Sequence, residues 1–409
     1  MGALKDAVGI ATGGRSVGGS HAKVIFSALS AGGYSVRLYG FSAIDTYLAL
    51  PALPFLWVQT NADITALARL IENLRFPGVD VADAAADIQG GSCYFRCLDS
   101  DEQTEAPVSS PLLSFSYDCQ TRRFQDPLGL YPLLKQLKNG GDLAGYSSDY
   151  TVDYLSPRAL LDAALIAARY NLPAPLFTAA SLSSASVIGA SIPPELQRVF
   201  LCCLLVSQWP DRGLEFLKRS GLLDALWPEL ACFEEVDHSK EYHPEGHGRH
   251  HTLETFRYRK PVNGGAFDLR LSLGLLLHDA GKPIAASSGS HRFEGHAELG
   301  AKAAVRFLER LQFDPALIRD IFFLVRNHML PAALKRLPLT KTAEVMASPL
   351  FPTLMELYRC DESSSFKGLD GYYENSAAYQ AYLRNSKNPY RYADGKKVGK
   401  PQRRRQSWG

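Results

Sequence analysis

The sequence predicts an α+β protein that is mostly helical: an α/β first third, a helical middle and an all-α module towards the C-terminus. Three observations carry this. From about residue 22 to 140, short β-branched and aromatic runs alternate with stretches of helical periodicity. From about 154 onward apolar residues recur every three or four positions nearly throughout. Nine of the ten histidines fall between residues 238 and 328, on segments that open or close helices.

In the first third, YSVRLYGF (34–41), PFLWVQT (54–60), SCYFRCL (92–98) and LLSFSYD (112–118) read as strands ending at turn residues, with ADITALARLIENL (62–74) as a helix among them. ATGGRSVGGS (11–20) is a mobile Gly/Ser stretch rather than a phosphate loop: no Gly-Lys-Ser/Thr follows and no strand precedes it. The middle is helical in SPRALLDAALIAARYNL (156–172), PPELQRVFLCCLLVSQW (193–209) and PDRGLEFLKRSGLLDALW (210–227), punctuated by Pro and Gly. A polar stretch, 232–249, leads to the histidine-rich segment.

Composition bounds the class. A chain of 409 residues predicts two or three domains. A hydrophobic content of 46% with 21% charged residues fits a soluble globular protein, and a net charge of +2 gives no global field for nucleic acid. No apolar run reaches a membrane span, since VFLCCLLV (199–206) is far too short, and no signal peptide is evident. The seven cysteines form no CxxC pair and read as reduced, buried thiols. The expected location is the cytoplasm, with no membrane or DNA partner.

The histidines mark the site. His251 opens a short helix. The apolar FDLRLSLGLLLHDAGKP (267–283) ends on His278 and Asp279, where Gly281, Lys282 and Pro283 discourage continuation. His296 starts a third helix, His328 lies near the end of a fourth and Asp361 near the end of a fifth. A lone histidine at a helix end is usually a cap. Several on separate amphipathic helices bring their ends to one region of a bundle. Imidazole with carboxylate suits first-row divalent ions such as Mn, Fe, Co, Ni or Zn. The adjacent His278–Asp279 pair offers two ligands to one ion, with the carboxylate free to bridge to another. Lys282 supplies a point charge for phosphate. His243, His247, His250 and His291 are expected to lie outside the ligand set.

The ordered set His251, His278-Asp279 and Asp361 resembles the HD superfamily of metal-dependent phosphohydrolases, with His296 and His328 matching the extra histidines of its two-metal members. HPEGHGRHHT (243–252), LLLHDAGKP (275–283) and FEGHAELGA (293–301) together are similar to the C-terminal part of bacterial tRNA nucleotidyltransferases (CCA-adding enzymes) and poly(A) polymerases. SIPPELQRVFLCCLL and FLKRSGLLDALWPEL resemble that family's helical neck. The resemblance covers most of 34–362 and is strongest over 190–330. It implies a nucleotidyltransferase-like head (22–145) after a flexible N-terminus (1–21), a neck (150–235), an HD domain (236–365) and a C-terminal extension (366–409).

The head departs from the family pattern. There, a Gly-Gly turn and Arg-Asp bind triphosphate, and an Asp-x-Asp pair holds magnesium before a Thr-Ser/Asn-Ala sequence. Here Thr60-Asn61-Ala62 is present, but Phe55 and Trp57 occupy the carboxylate positions, Tyr39-Gly40 replaces Gly-Gly, and Ala43-Ile44 replaces Arg-Asp. VSSPLL (108–113) stands where an Arg-Arg-Asp-Phe-like stretch belongs. FQDPLG (124–129) keeps its form, and little of the base-binding region remains beyond Arg169-Tyr170. Asp99-Ser100-Asp101 is a weak substitute in an acidic loop. Two-metal phosphoryl transfer needs anionic oxygen ligands, which Phe and Trp cannot supply.

The expected function is therefore a divalent-metal phosphohydrolase, a phosphodiesterase or phosphatase acting on nucleotides or RNA ends, with tRNA as the RNA that the resemblance implies. One ion is held by His251, His278, Asp279 and Asp361. Asp279 bridges to a second, completed by His296 and His328, with Asp279 and Lys282 at the chemistry. The alternatives are an active tRNA nucleotidyltransferase or poly(A) polymerase with relocated carboxylates, and an idle RNA-binding scaffold. The basic tail KKVGKPQRRRQSWG (396–409), through Arg403, Arg404 and Arg405, adds weak RNA affinity. Metal identity, ion number and oligomeric state stay open at this level.

Overall fold

The computed structural model describes residues 21–77, 82–88, 91–98, 110–140, 157–173, 192–231, 248–262, 265–287, 293–365, 368–388 and 395. The fold is α+β and mostly helical, with one sheet early in the chain and helices after it. The described residues divide into two compact units. One comprises those within Met1–Cys232, Arg259–Ser272 and Arg310–Phe313, the other those within Phe233–Tyr258, Leu273–Glu309 and Asp314–Gly409.

The first unit holds a seven-stranded sheet of order β3-β4-β5-β2-β1-β6-β7. Its strands are β1 (Arg37–Tyr39), β2 (Phe55–Thr60), β3 (Leu74–Arg75), β4 (Ala84–Ile88), β5 (Gly91–Cys97), β6 (Ser116–Asp118) and β7 (Arg123–Gln125). All neighbours are antiparallel except β2 and β5. Side chains alternate across a strand, so register assigns faces. Leu38, Val58, Phe95 and Ala84 form one buried row, whereas Arg37, Gln59 and Arg96 form a half-exposed row on the other face. Helices α1 (His21–Ala31), α2 (Phe41–Leu48), α3 (Ile64–Leu70) and α4 (Tyr131–Lys138) accompany the sheet. Helices α5 (Pro157–Tyr170), α6 (Pro194–Leu205), α7 (Pro210–Arg219), α8 (Leu222–Leu226) and α9 (Pro228–Ala231) follow.

Several local expectations need correction. The expected strand 34–41 is only three residues long, because Gly40 takes φ 57° and turns the chain into α2, a helix absent from the sequence reading. The expected strand 112–118 begins instead as a 3-10 turn, Pro111–Ser114, capped by the Ser110 hydroxyl accepting from the Leu112 amide, and only Ser116–Asp118 is strand. The expected helix 62–74 stops at Leu70, and Leu74–Arg75 pairs as β3. The alanine-rich β4 also escaped notice, since alanine carries little strand preference and its place is set by pairing with β5.

The second unit is helical: α10 (Gly248–Thr255), the end of α11 (Leu269–Leu277), α12 (Lys282–Ser287), α13 (His296–Arg310), α14 (Pro315–Asn327), α15 (Leu339–Met346), α16 (Phe351–Ser363) and α17 (Asp370–Ser386). Asp314 caps α14, accepting from the amides of Ala316 and Leu317. The apolar helix ends at Leu277, before Gly281, Lys282 and Pro283, and Lys282 and Pro283 open a new helix, α12, because proline is tolerated in a first turn that has no amide partner to lose. The tyrosines of α17 mainly pack: Tyr379 lies 4.5 Å from Phe351 and Tyr372 lies 6.1 Å from Tyr358, ring centre to ring centre, while Tyr373 is exposed. Arg403, Arg404 and Arg405, the stretch 11–20 and Asp99-Ser100-Asp101 lie outside the described residues.

Candidate metal centre

The leucine-rich end of α11 explains how His278 and Asp279 come to be buried. Leu275, Leu276 and Leu277 lie in the core of the unit, so the turn that follows starts inside it. Gly281 continues that turn against α13. A Cβ there would lie 1.9 Å from the His296 carbonyl oxygen and 2.5 Å from the Gly300 nitrogen, so a bare backbone lets the two segments touch. This close approach sets His296, the first residue of α13, beside Asp279.

The carboxylate of Asp279 divides its two oxygens. Oδ2 lies 3.3 Å from His278 Nε2 and 2.6 Å from Lys282 Nζ. Oδ1 lies 3.7 Å from His296 Nε2 and 3.8 Å from His328 Nε2. His251 Nε2 is 2.8 Å from Asp361 Oδ1, which in turn lies 3.6 Å from His278 Nε2. Two trios have donor atoms close enough to hold an ion: His251, His278 and Asp279; and Asp279, His296 and His328. They share Asp279, and Asp361 touches two members of the first. All six residues named from the sequence are brought together. Lys282 reaches the carboxylate rather than standing apart as a phosphate contact. His243, His247 and His291, and the side chain of His250, lie outside the described residues.

Hydrogen bonding orients the imidazoles. Nδ1 of His278, His296 and His328 lies 2.8, 2.9 and 2.7 Å from the carbonyl oxygen three residues earlier, of Leu275, Phe293 and Val325 respectively. A carbonyl only accepts, so each Nδ1 carries a proton, and each Nε2 presents a lone pair whenever its ring is neutral. His296 Nε2 and His328 Nε2 then face each other at 3.1 Å. Two lone pairs at that distance repel unless a proton or a cation lies between them. The buried Nε2 of His278 makes no hydrogen bond of good geometry, with the Asp279 and Asp361 carboxylates 3.3 and 3.6 Å away, and an ion among these groups would satisfy it. The donor set thus fits a divalent ion on the chain's own geometry.

Charge and burial compete in the protein without metal. Burial opposes protonation of His278, yet Asp279 and Asp361 outweigh it and lift its pKa to about 9. Burial works against the charged form of Asp279, but His278, Lys282 and His328 hold it well below the usual carboxylate range. For His328 burial and the neighbouring His278 lower the pKa to about 4, and burial also lowers that of His296. Asp361 is likewise held below its ordinary value, despite burial, by His251 and His278.

Ser364 was not singled out in the sequence. Its hydroxyl oxygen lies 3.1 Å from His251 Nδ1 and donates to the Asp361 carbonyl at 2.7 Å. A serine at a helix end has no distinguishing pattern, so only contact across the fold exposes it.

The head has no comparable cluster among the described residues. Phe55 and Trp57, at the expected carboxylate positions, are buried with ring centres 5.0 Å apart, and Trp57 lies 5.0 Å from Tyr94. Arg169 and Tyr170, matched to a base-binding region, turn inward instead. Arg169 Nε donates to both oxygens of buried Asp45 at 2.8 and 3.0 Å, and Tyr170 donates to Oδ1 at 2.9 Å. Asp126 keeps a structural role, accepting from the amides of Leu130 and Tyr131 at the start of α4.

The HD domain family model matches residues 249–348, about a quarter of the chain, and these include His251, His278, Asp279, His296 and His328. The multifunctional CCA protein of Halorhodospira halophila is 36% identical over 126 residues, 31% of this chain and 29% of that protein. The CC-adding tRNA nucleotidyltransferase of Thermus thermophilus is 35% identical over 133 residues, 32% of this chain and 30% of that protein. About a third of the chain is thus similar in sequence to proteins of the kind the resemblance named, and the chain spans less than a third of the length of these two relatives. The Bacillus stearothermophilus CCA-adding enzyme, solved in complex with CTP, superposes with a TM-score of 0.50 at 10% identity, covering 88% of this chain and 81% of that one, which is a likeness of fold. Among the described residues no helix is long and apolar enough to cross a membrane.

Proposed function

We propose that this chain is a divalent-metal phosphohydrolase acting on nucleotide or RNA phosphate esters through its HD domain. The observation that carries the reading is the carboxylate of Asp279, set between two groups of inward-facing imidazole lone pairs on different helices. His251, His278 and Asp361 with Asp279 would hold one ion, and His296 and His328 with Asp279 would hold a second. A bound divalent ion supplies Lewis acidity towards a phosphoryl oxygen and lowers the pKa of water. The backbone carbonyls of Leu275, Phe293 and Val325 keep three imidazoles in the ligating tautomer. Lys282, already paired with Asp279, provides a positive charge beside the reacting phosphate. The polar residues are Mn-, Fe-, Co-, Ni- and Zn-compatible ligands and do not single out one of these.

The second reading is tRNA nucleotidyl transfer, and the relatives favour it. The names quoted above carry CCA and CC addition, and none carries hydrolysis. Against it stands β2, where Phe55 and Trp57 pack instead of presenting carboxylates.

Two assays separate them. Hydrolysis of a generic phosphodiester and of 2′,3′-cyclic nucleotides with Mn or Ni, lost in Asp279→Ala, supports the hydrolase. Incorporation of labelled CMP or AMP into tRNA, unchanged in Asp279→Ala, supports the transferase. Salt-sensitive RNA binding without turnover or bound metal would leave an idle scaffold.

A further inference from the structure

We propose that an open row of side chains across the sheet of the first unit is a binding surface for the backbone of single-stranded RNA. The choice of RNA rests on the substrate class proposed above, while the surface itself is independent of the metal centre. Residues directly opposite each other in a ladder share a face. Arg123 on β7 pairs with Asp118 on β6, Asp118 with Arg37 on β1, Arg37 with Gln59 on β2, and Gln59 with Arg96 on β5. One row therefore crosses five strands and carries three arginines to one acid. Arg123 is exposed and the other four residues are half-exposed.

The acid is committed elsewhere. Asp118 lies between Arg123 and Arg37, where a carboxylate could pair with either. Its Oδ1 instead accepts from the amides of Gln120 and Thr121 at 2.9 and 2.8 Å, which shapes the turn between β6 and β7. Among the described residues, the side chains of Arg37, Arg123 and Gln59 make no hydrogen bond or ion pair. Phe55 and Trp57 stand on the same face as Gln59, so the carboxylates that the family pattern places on β2 are not there to oppose the arginines.

A single surface arginine needs no explanation. A strip of them sets up a local positive field, and its length suits a chain of phosphates better than one small anion. The neighbouring row favours nucleic acid over an acidic peptide. Tyr39, two residues from Arg37 on the same face, stays half-exposed, whereas Trp57 and Tyr94 are buried. Its ring centre lies 6.2 Å from that of Trp57, which backs it, and a base can stack on the exposed part. Gln59, between Arg37 and Arg96, offers a donor and an acceptor together, which suits a ribose 2′-hydroxyl.

The test is fluorescence anisotropy of the full chain with a labelled oligouridylate over a series of salt concentrations, with EDTA present so that hydrolysis does not contribute. It is run with the natural tail and with Arg403→Gln, Arg404→Gln and Arg405→Gln combined. In both backgrounds Arg37→Gln and Arg123→Gln are each expected to weaken binding about tenfold at low salt. Each is expected to lower the slope of log affinity against log salt by about 0.7. Arg37→Lys keeps the charge and is expected to keep the slope. Tyr39→Leu is expected to weaken binding about tenfold with the slope unchanged, because stacking releases no counterions. Unchanged affinity and slope in a folded Arg37→Gln/Arg123→Gln double variant would overturn the surface, as would loss of all binding in the tail variant. Equal affinity for the matching deoxyoligonucleotide would overturn the choice of RNA, and equal displacement by polyglutamate would overturn nucleic acid as the partner. Phosphodiester hydrolysis with Mn, measured on the same proteins, is expected to be unchanged by Arg37→Gln. Its absence from every protein would remove the hydrolase reading and leave the binding results standing.

Discussion

The two ends of the family resemblance reach opposite outcomes. On β2 of the head, the positions expected to carry carboxylates hold Phe55 and Trp57, and these join Tyr94 in a buried aromatic cluster. In the HD domain, helix ends that could have been apolar carry six titratable residues directed at one another. Burial is deep in both regions, so depth alone does not make a site. The difference lies in compensation. The aromatic rings in the head gain free energy by leaving water, and the Tyr94 hydroxyl keeps a partner in Glu195. Buried histidines and carboxylates lose solvation, and partners, a proton or an ion must offset that loss.

Replacing Asp279 should give the largest effect, since both trios share it. Asp279→Ala is expected to bind neither ion and to lose phosphodiester hydrolysis by more than about 100-fold, beyond what removal of an outer partner costs. Metal content of the purified variant by mass spectrometry and a rate measurement check this. A variant retaining one full equivalent would separate the trios and break the bridging picture.

The head is probed by the reverse change. Trp57→Asp places a carboxylate where the family pattern has one, but inside an aromatic cluster. It removes a large buried side chain and buries a charge, so a loss of at least about 3 kcal/mol is expected in denaturant unfolding. A stable variant that gained CMP incorporation would show the head to be a cleft awaiting its ligands and would remove the contrast between the two regions.

Gly281→Ala comes next. Its Cβ would overlap the His296 carbonyl oxygen, and relief requires moving backbone rather than a flexible side chain. A loss of about 1–3 kcal/mol in stability is expected, with the Asp279–His296–His328 step weakened more than the other. Thermal unfolding and metal titration on one sample measure both.

The last effect is that of pH, which is graded rather than abrupt. In the metal-free chain His278 has a pKa of about 9, so at neutral pH an ion must displace its proton. His328, at about 4, and His296, also lowered, are already neutral there. Apparent affinity should rise by up to about tenfold per pH unit from 7 towards 9 and level off above it. Titrations at pH 7, 8 and 9 suffice, and affinity that fell over this range would show another group controlling binding.

Much of the site was legible because its chemistry is written locally. The run of three leucines ending on His278 and Asp279, and histidines at helix ends, are patterns of the chain itself. Helical periodicity gave the class of the second unit for the same reason. The head was read less well. Gly40, Pro111 and the alanines of β4 take their conformation from turn geometry and strand pairing, which local preference does not encode.

By itself the sequence determined the mixed fold, the six converging residues, and the absence of carboxylates at Phe55 and Trp57. Only the tertiary structure decided that Asp279 divides its oxygens between two groups and that Lys282 leans on that carboxylate. It alone decided that Arg169 and Tyr170 turn inward to Asp45 and that Ser364 reaches His251. The reason is physical. Residue type and helical period are properties of a segment, whereas a lone pair's direction depends on which partner, far along the chain, occupies the neighbouring space.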